Sequence, residues 1–363
     1  MKMHPASSVA TQPTDPKPLA STADSACLRV AAIGGGTGLS TLLRGLKRHT
    51  QSPSHATNPA DISAELPAII SDLAAIVTVT DDGGSSGRLR RDMNMLPPGD
   101  LRNCMVALSE DEHLLSKLFQ YRFDSGEGLE GHSFGNLFLA GLTAVTGDFA
   151  LAVKMSSQIL ATRGHLYPAT NSNVNLAALM DDGSMVLGET RITASKRRIV
   201  RLMLKPERVA ALPEAVEAIL GADLITLGPG SLYTSLITNL LVEGIADSLV
   251  ATHGLRVFIC NLMTQANESV HLTASQHIER IYEHTGGAIF DYALVNIAPI
   301  SETARQRYAA EGAEQIVPDI EQIERLGVRC IAGDFLREEE VLRHDYERVA
   351  DVLLDLGLNH RRS

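Results

Sequence analysis

The chain has 363 residues, 44% of them hydrophobic and 21% charged, the profile of a globular protein long enough for one large domain or two. A net charge of −11, no Trp and only 4% aromatic residues argue against nucleic acid as a partner, because a polyanion meets a repulsive field and its bases find few stacking surfaces. Cys27, Cys104, Cys260 and Cys330 lie far apart with no CxxC spacing, which speaks against a zinc site or a disulfide framework, and no run reaches the roughly 20 apolar residues of a bilayer span, so neither a metal centre of that kind nor membrane insertion is expected.

In chain order, residues 1–27 are rich in Pro, Ser, Thr and Ala, lack an apolar core, and read as a disordered leader, not a secretory signal. A strand-like run at 28–33 enters the turn Gly34-Gly35-Gly36-Thr37-Gly38, and a helical pattern follows at 39–48. Residues 51–61 read as a surface loop, and 74–80 as the second strand. Residues 101–161 carry helical periodicity almost throughout, and 165–192 alternate around Asp181-Asp182-Gly183, the mark of a small antiparallel hairpin. Further apolar runs at 224–227, 256–260, 292–297 and 328–331 alternate with helical patterns at 213–220, 232–241, 273–284 and 302–311. This alternation predicts an α/β, doubly wound, mostly parallel sheet over 28–357, with a helical and β-hairpin insertion at about 101–200 and a short tail at 358–363.

Two glycine turns stand out because each follows a strand and precedes a helix: Gly34–Gly38 by number, and Gly228-Pro229-Gly230-Ser231. Glycine admits positive φ and lets a ligand approach where a Cβ would intrude, and a helix opening there offers free N–H groups to an anion. Together they suggest one phosphate-rich ligand across the carboxyl edge of the sheet. The first turn is neither the dinucleotide GxGxxG, since Leu39 fills the third glycine position, nor a Walker loop, so a nicotinamide oxidoreductase has little support. Thr37 and Ser40 read as helix caps or phosphate donors.

The segment Asp81-Asp82-Gly83-Gly84-Ser85-Ser86-Gly87-Arg88 follows the second strand. Its carboxylates suit Mg²⁺, a ribose or a substrate hydroxyl, and Arg88 suits a bidentate phosphate clamp; an Asx-type turn with solvated charges is the structural alternative. His132-Ser133-Phe134-Gly135-Asn136 opens a helix, so Ser133 and the N–H groups near Asn136 can meet an anion, while Asn136 can read a base or sugar edge. Pro97 to Asn103 is explained by a turn and an Asp100 cap; the run Lys196-Arg197-Arg198 with Arg201, Lys205 and Arg208 reads most simply as a solvated basic face, with a charged partner as the alternative.

These motifs, with Gly-Pro-Gly-Ser-Leu-Tyr-Thr-Ser at 228–235 and Arg343-His344-Asp345, resemble the bacterial YvcK-type putative gluconeogenesis factors, relatives of the CofD-type 2-phospho-lactate transferases. The likeness runs from about residue 29 to 357. It implies a Rossmann-like sheet, a cytoplasmic location, and a UDP-sugar ligand such as UDP-N-acetylglucosamine, in a role in cell shape and envelope growth on gluconeogenic carbon sources. Carried onto this chain, it points to Gly34, Gly35, Gly36, Thr37, Gly38, Asp81, Asp82, Ser85, Ser86, Arg88, Ser133, Gly135, Asn136, Gly228, Gly230, Ser231 and Arg343 as ligand-binding residues. The alternative is a Mg²⁺-dependent transferase of a phosphoryl-linked group, as the CofD-type relatives imply; the Gly-Gly-Ser-Ser-Gly loop favours the gluconeogenesis-factor reading. Self-association is left open.

Overall fold

The computed structural model describes residues 27–50, 69–110 and 114–362, so the leader expected at 1–27, except Cys27, and the whole 51–61 loop lie outside it. In chain order the strands are β1 (Leu28–Gly34), β2 (Ile70–Val77), β3 (His165–Pro168), β4 (Asn175–Met180), β5 (Met185–Leu187), β6 (Ile199–Lys205), β7 (Leu224–Leu227), β8 (Leu255–Ile259), β9 (Tyr292–Asn296), β10 (Arg329–Gly333), β11 (Leu336–Glu338) and β12 (Leu342–His344). The helices are α1 (Gly36–Lys47), α2 (Gly84–Met93), α3 (Gly99–Leu108), α4 (Leu114–Gln120), α5 (Phe134–Thr146), α6 (Phe149–Ile159), α7 (Glu189–Thr193), α8 (Pro213–Gly221), α9 (Thr238–Leu240), α10 (Ile245–Ala251), α11 (Ala274–Thr285), α12 (Glu302–Ala310), α13 (Ile320–Arg325) and α14 (Tyr346–Arg362), with a π-helical turn at Leu232–Ile237 before α9.

The central sheet is parallel throughout, in the order β10-β9-β8-β7-β1-β2-β3. Its inner strands read as continuous apolar runs because helices cover both faces: every residue of β7, and all but Arg29 of β1, is buried. Helices α1, α3 and α14 pack together, as do α8 and α10. From β1 the chain winds outward through β2 to β3. It then returns to β7 and winds the other way through β8 and β9 to β10. The direction therefore reverses between β1 and β7, the place where ligands enter open α/β sheets.

The expected insertion is divided in two. Helices α2 to α6 form the long crossover from β2 to β3, and residues 165–168, expected within the hairpin, instead join the central sheet as the edge strand β3. Only then does the hairpin β4–β5 form, with β6 completing a separate antiparallel sheet in the order β5-β4-β6. The expected tail is helical as far as Arg362, as the end of α14. The single helix expected at 232–241 opens as the π-helical turn, where the Thr238 hydroxyl donates to the Tyr233 carbonyl at 2.8 Å.

Candidate functional site at the strand-order reversal

The two glycine turns meet at this reversal. Gly35 is extended at the N-cap of α1, and Gly36 holds a φ of +62°. A Cβ on Gly38 would lie 2.3 Å from the Pro229 carbonyl oxygen, so that contact requires glycine. Asn261 holds the second turn from above, accepting from the Gly230 N–H at 3.0 Å and donating to the Gly230 carbonyl at 2.7 Å, while Gln265 donates to Ser231 Oγ at 2.7 Å.

A cavity of about 520 Å³ opens over both turns. Of the residues singled out in the sequence, Gly35, Gly36, Thr37, Gly38, Gly230, Ser231 and Arg343 line it. Gly34 and Gly228 lie just beneath, at the strand ends, where the Gly228 N–H donates to the Ile33 carbonyl at 3.0 Å. Tyr308, Gln265 and His344 also line the cavity, contributed by α12, the segment after β8, and β12. His344 is held well below the usual imidazole range, at about 4, by burial, opposed by its hydrogen bond to the Cys260 carbonyl. Because a carbonyl only accepts, Nε2 must donate at 3.0 Å, which makes Nδ1 an acceptor.

The Asp81–Arg88 loop sits beside this cavity and supplies none of its walls. Asp81 accepts from the Gly83 N–H at 2.9 Å; Asp82 accepts from the Thr190 N–H at 2.8 Å and its hydroxyl at 2.6 Å, tying α7 to the loop. Ser85 lies 2.8 Å from His132 Nδ1 and accepts from the Asn136 amide at 3.0 Å, all three being buried. Ser133 caps α5, accepting from the Asn136 N–H at 3.3 Å and from Arg102. Gly135 is a packing glycine: a Cβ there would lie 2.7 Å from the Phe119 carbonyl oxygen. Arg88 turns toward the 124–131 loop, where it donates to the Glu130 carbonyl at 2.7 Å.

Between loop and cavity stands Asp100, expected from its place after Pro97-Pro98-Gly99 to be a helix cap. The N-cap of α3 is Pro98, and Asp100 faces the first glycine turn, its Oδ2 2.9 Å from where a Gly35 Cβ would be. Burial pushes its carboxyl up to about 6, opposed by the Gly36 N–H; the Asp81 charge raises it further and Arg102 lowers it. Ser86 Oγ and Asp81 Oδ2 line the neighbouring space, 2.6 and 3.2 Å from a Cβ position on Gly99. Glu189 is raised well above the carboxylate range by burial, then by Asp81 and Asp100. The facing cations, Arg90 and Arg102, are themselves lowered, first by burial. At the other turn Glu268 accepts from the Tyr233 and Thr234 N–H groups at 2.9 and 3.2 Å. Thus each helical opening behind a glycine turn already faces a protein carboxylate. A lone Asp two residues after Pro-Pro and a Glu in an irregular stretch carry no motif; the acidic residue's closeness to the glycine turn is the only signal, and it is tertiary.

The arrangement offers backbone donors at the turns, a cation in Arg343, a neutral acceptor in His344 and a carboxylate shelf alongside. Among the described residues, no three His, Cys, Asp or Glu converge as a ready metal-ligand group. Among them, too, no helix is long and apolar enough to cross a membrane.

The family model described as 2-phospho-L-lactate transferase CofD matches residues 30–336. The chain is similar to the gluconeogenesis factor of Halalkalibacterium halodurans, 46% identical over 327 residues that cover 90% of this chain and 95% of that protein. It is likewise similar to the gluconeogenesis factor of Bacillus subtilis, 44% identical over 329 residues, covering 90% and 98%. A 2.60 Å crystal structure of a UPF0052 family member from Bacillus halodurans superposes with a TM-score of 0.82 at 46% identity, covering 90% of this chain and 99% of that one. With turns, site and sheet order already in place, these likenesses agree on one assignment: the chain belongs to the CofD-like family of gluconeogenesis factors.

Proposed function

We propose that this chain is a cytoplasmic nucleotide-sugar-binding factor, taking a UDP-sugar of the UDP-N-acetylglucosamine type and serving cell shape and envelope growth under gluconeogenic conditions. The observation that carries the reading is the meeting of two glycine turns over one cavity at the strand-order reversal. Phosphates suit the N–H groups of the first turn beyond that of Gly36, which Asp100 engages, and α1 is 12 residues long, so its dipole adds to them. Arg343 supplies a local cation that a protein of net charge −11 needs to hold an anion. Calorimetry with UDP-N-acetylglucosamine, set against GDP- and NAD-type ligands, tests the reading; tighter binding of either competitor overturns it.

A transferase is the second reading, favoured by the shelf of Asp81 and Asp100 beside the cavity. Mg²⁺ is held at such sites through one or two carboxylates plus the phosphates of the ligand, a sparse donor set that these two residues fit. Bound there, the ion would offset phosphate charge. The chain's own part would be to orient the phosphates on the turn and keep His344 neutral. Enhancement of nucleotide-sugar binding by Mg²⁺, lost in Asp81→Asn, supports the ion site, and mass spectrometry of incubated ligand tests for turnover.

A further inference from the structure

Residues 191–208 carry seven of the chain's 32 Lys and Arg but one of its 43 Asp and Glu, so a protein of net charge −11 contains one strongly basic segment. It runs from α7 through β6, at the edge of the β5-β4-β6 sheet. Three of its cations are paired: Arg197 with Asp182 at 3.4 Å, Lys205 with Glu207 at 2.5 Å and Arg208 with Glu243 at 3.9 Å. Among the described residues, Lys196, Arg198 and Arg201 have no ion pair, and all three are exposed.

The same small sheet leaves apolar side chains in water: Met185, Leu187 and Val200 are 50%, 48% and 44% exposed. The register explains why Arg201, Met185 and Leu187 adjoin. Leu179 stands opposite Met185 on one side and Arg201 on the other, and Ala177 stands opposite Leu187 and Met203, so directly paired residues share one face. Leu202 and Leu204 alternate to the opposite face and are buried. Val200 falls where the β4–β6 register shifts. A basic edge strand by itself is a common guard against edge-to-edge pairing. That account leaves Met185 and Leu187, on the far strand of the sheet, unexplained.

We propose that this face docks the protein on an anionic lipid surface, with Lys196, Arg198 and Arg201 over the headgroups and Met185, Leu187 and Val200 at the headgroup–acyl boundary. Clustered cations beside exposed apolar groups are the combination that binds peripherally, since charge attracts the protein and apolar burial retains it. Nucleic acid fits less well: none of residues 181–208 is aromatic, so bases have nothing to stack on. An acidic peptide would satisfy the cations but leave the three apolar side chains in water.

Sedimentation of the full-length protein with vesicles tests this. Wild type should bind phosphatidylcholine vesicles containing roughly a third phosphatidylglycerol, release as salt is raised, and ignore pure phosphatidylcholine. Each cation removed should weaken partitioning about fivefold, so Arg198→Ala with Arg201→Ala should lose roughly 25-fold. Met185→Ser with Leu187→Ser should weaken binding while keeping its salt dependence. Circular dichroism of each variant confirms that it is folded, and the two independent pairs guard against a single misfolded one. Equal binding to neutral vesicles, or unchanged binding by the folded arginine variant, would overturn the proposal. So would capture of single-stranded RNA or polyglutamate by the wild type without capture of anionic vesicles.

Discussion

Gly38 and Pro229 meet backbone to backbone: a Cβ on Gly38 would sit 2.3 Å from the Pro229 carbonyl oxygen and 2.7 Å from its carbon. This contact joins the turn after β1 to the turn after β7 and sets the floor of the cavity. Neither partner is a flexible side-chain end, so a methyl group there must push the two turns apart.

Gly38→Ala should therefore cost about 1–3 kcal/mol, the range for overpacking a tight site, and should weaken UDP-N-acetylglucosamine binding more than tenfold. Gly36 is different: a Cβ there meets only Ser235 Oγ, at 3.9 Å, but φ is +62°. Gly36→Ala should cost roughly 1–2 kcal/mol from backbone conformation alone. Gly141, in the middle of α5 with nothing within 4 Å, should gain stability as Ala, by about 0.5–1 kcal/mol. Urea denaturation of the three variants gives the ranking; a destabilised Gly141→Ala would mean that space at the glycine does not decide the sign.

Arginine scanning separates the sequence expectation from the geometry. Arg343 lines the cavity, whereas Arg88 donates to the Glu130 carbonyl outside it. Arg343→Ala should weaken nucleotide-sugar binding by about 1.5–3 kcal/mol, the worth of a hydrogen bond to a charged group, or roughly ten- to a hundredfold. Arg88→Ala and Arg197→Ala should leave calorimetric affinity close to wild type. A loss at Arg88 equal to that at Arg343 would place the ligand over the 124–131 loop instead.

Asp100 should make the fold less stable as pH rises from acid toward neutral. Its carboxyl is raised from 3.8 to about 6, so the folded state holds its proton more tightly than the unfolded chain. That stabilisation is complete below 3.8 and is lost as pH climbs through 6. A shift of this size corresponds to about 3 kcal/mol at 1.36 kcal/mol per unit. Asp100→Asn should remove this component, so the wild-type-minus-variant difference in urea stability should fall between pH 4 and 6. A flat difference would mean that Asp100 titrates normally.

His344 should contribute with the opposite sign. Its pKa falls from 6.5 to about 4, so the unfolded chain binds the proton more tightly. The contribution is complete above 6.5 and is lost as pH falls toward 4. NMR titration of the His344 ring should show no protonation at pH 5.5, and His344→Gln should flatten acid destabilisation between pH 6.5 and 4. A ring that titrates near 6.5 would mean that burial does not keep Nδ1 unprotonated.

Local chemistry determined much of this protein by itself. Buried parallel strands must be continuously apolar, so β1, β7 and β9 are legible to within a residue or two, and the glycine-rich runs mark the turns, where a Cβ on Gly35, Gly38 or Gly228 would lie 2.5, 2.3 or 2.8 Å from a neighbouring atom. What needed the tertiary structure was which groups face one another. β3 is four residues long, and the pattern that makes it a central edge strand is the same one that would make it a hairpin arm; only its pairing with β2 decides. Arg88 follows a phosphate-like motif, but helix α2 carries it toward the Glu130 carbonyl, while Arg343, Tyr308 and His344 reach the cavity from the other end of the chain. Asp100 passes for an ordinary helix-opening residue in sequence and becomes the carboxylate beside the first glycine turn because α1 and α3 pack together. Secondary structure follows from spacing along the chain, whereas a site depends on distances across it, and those are set by how the sheet is wound.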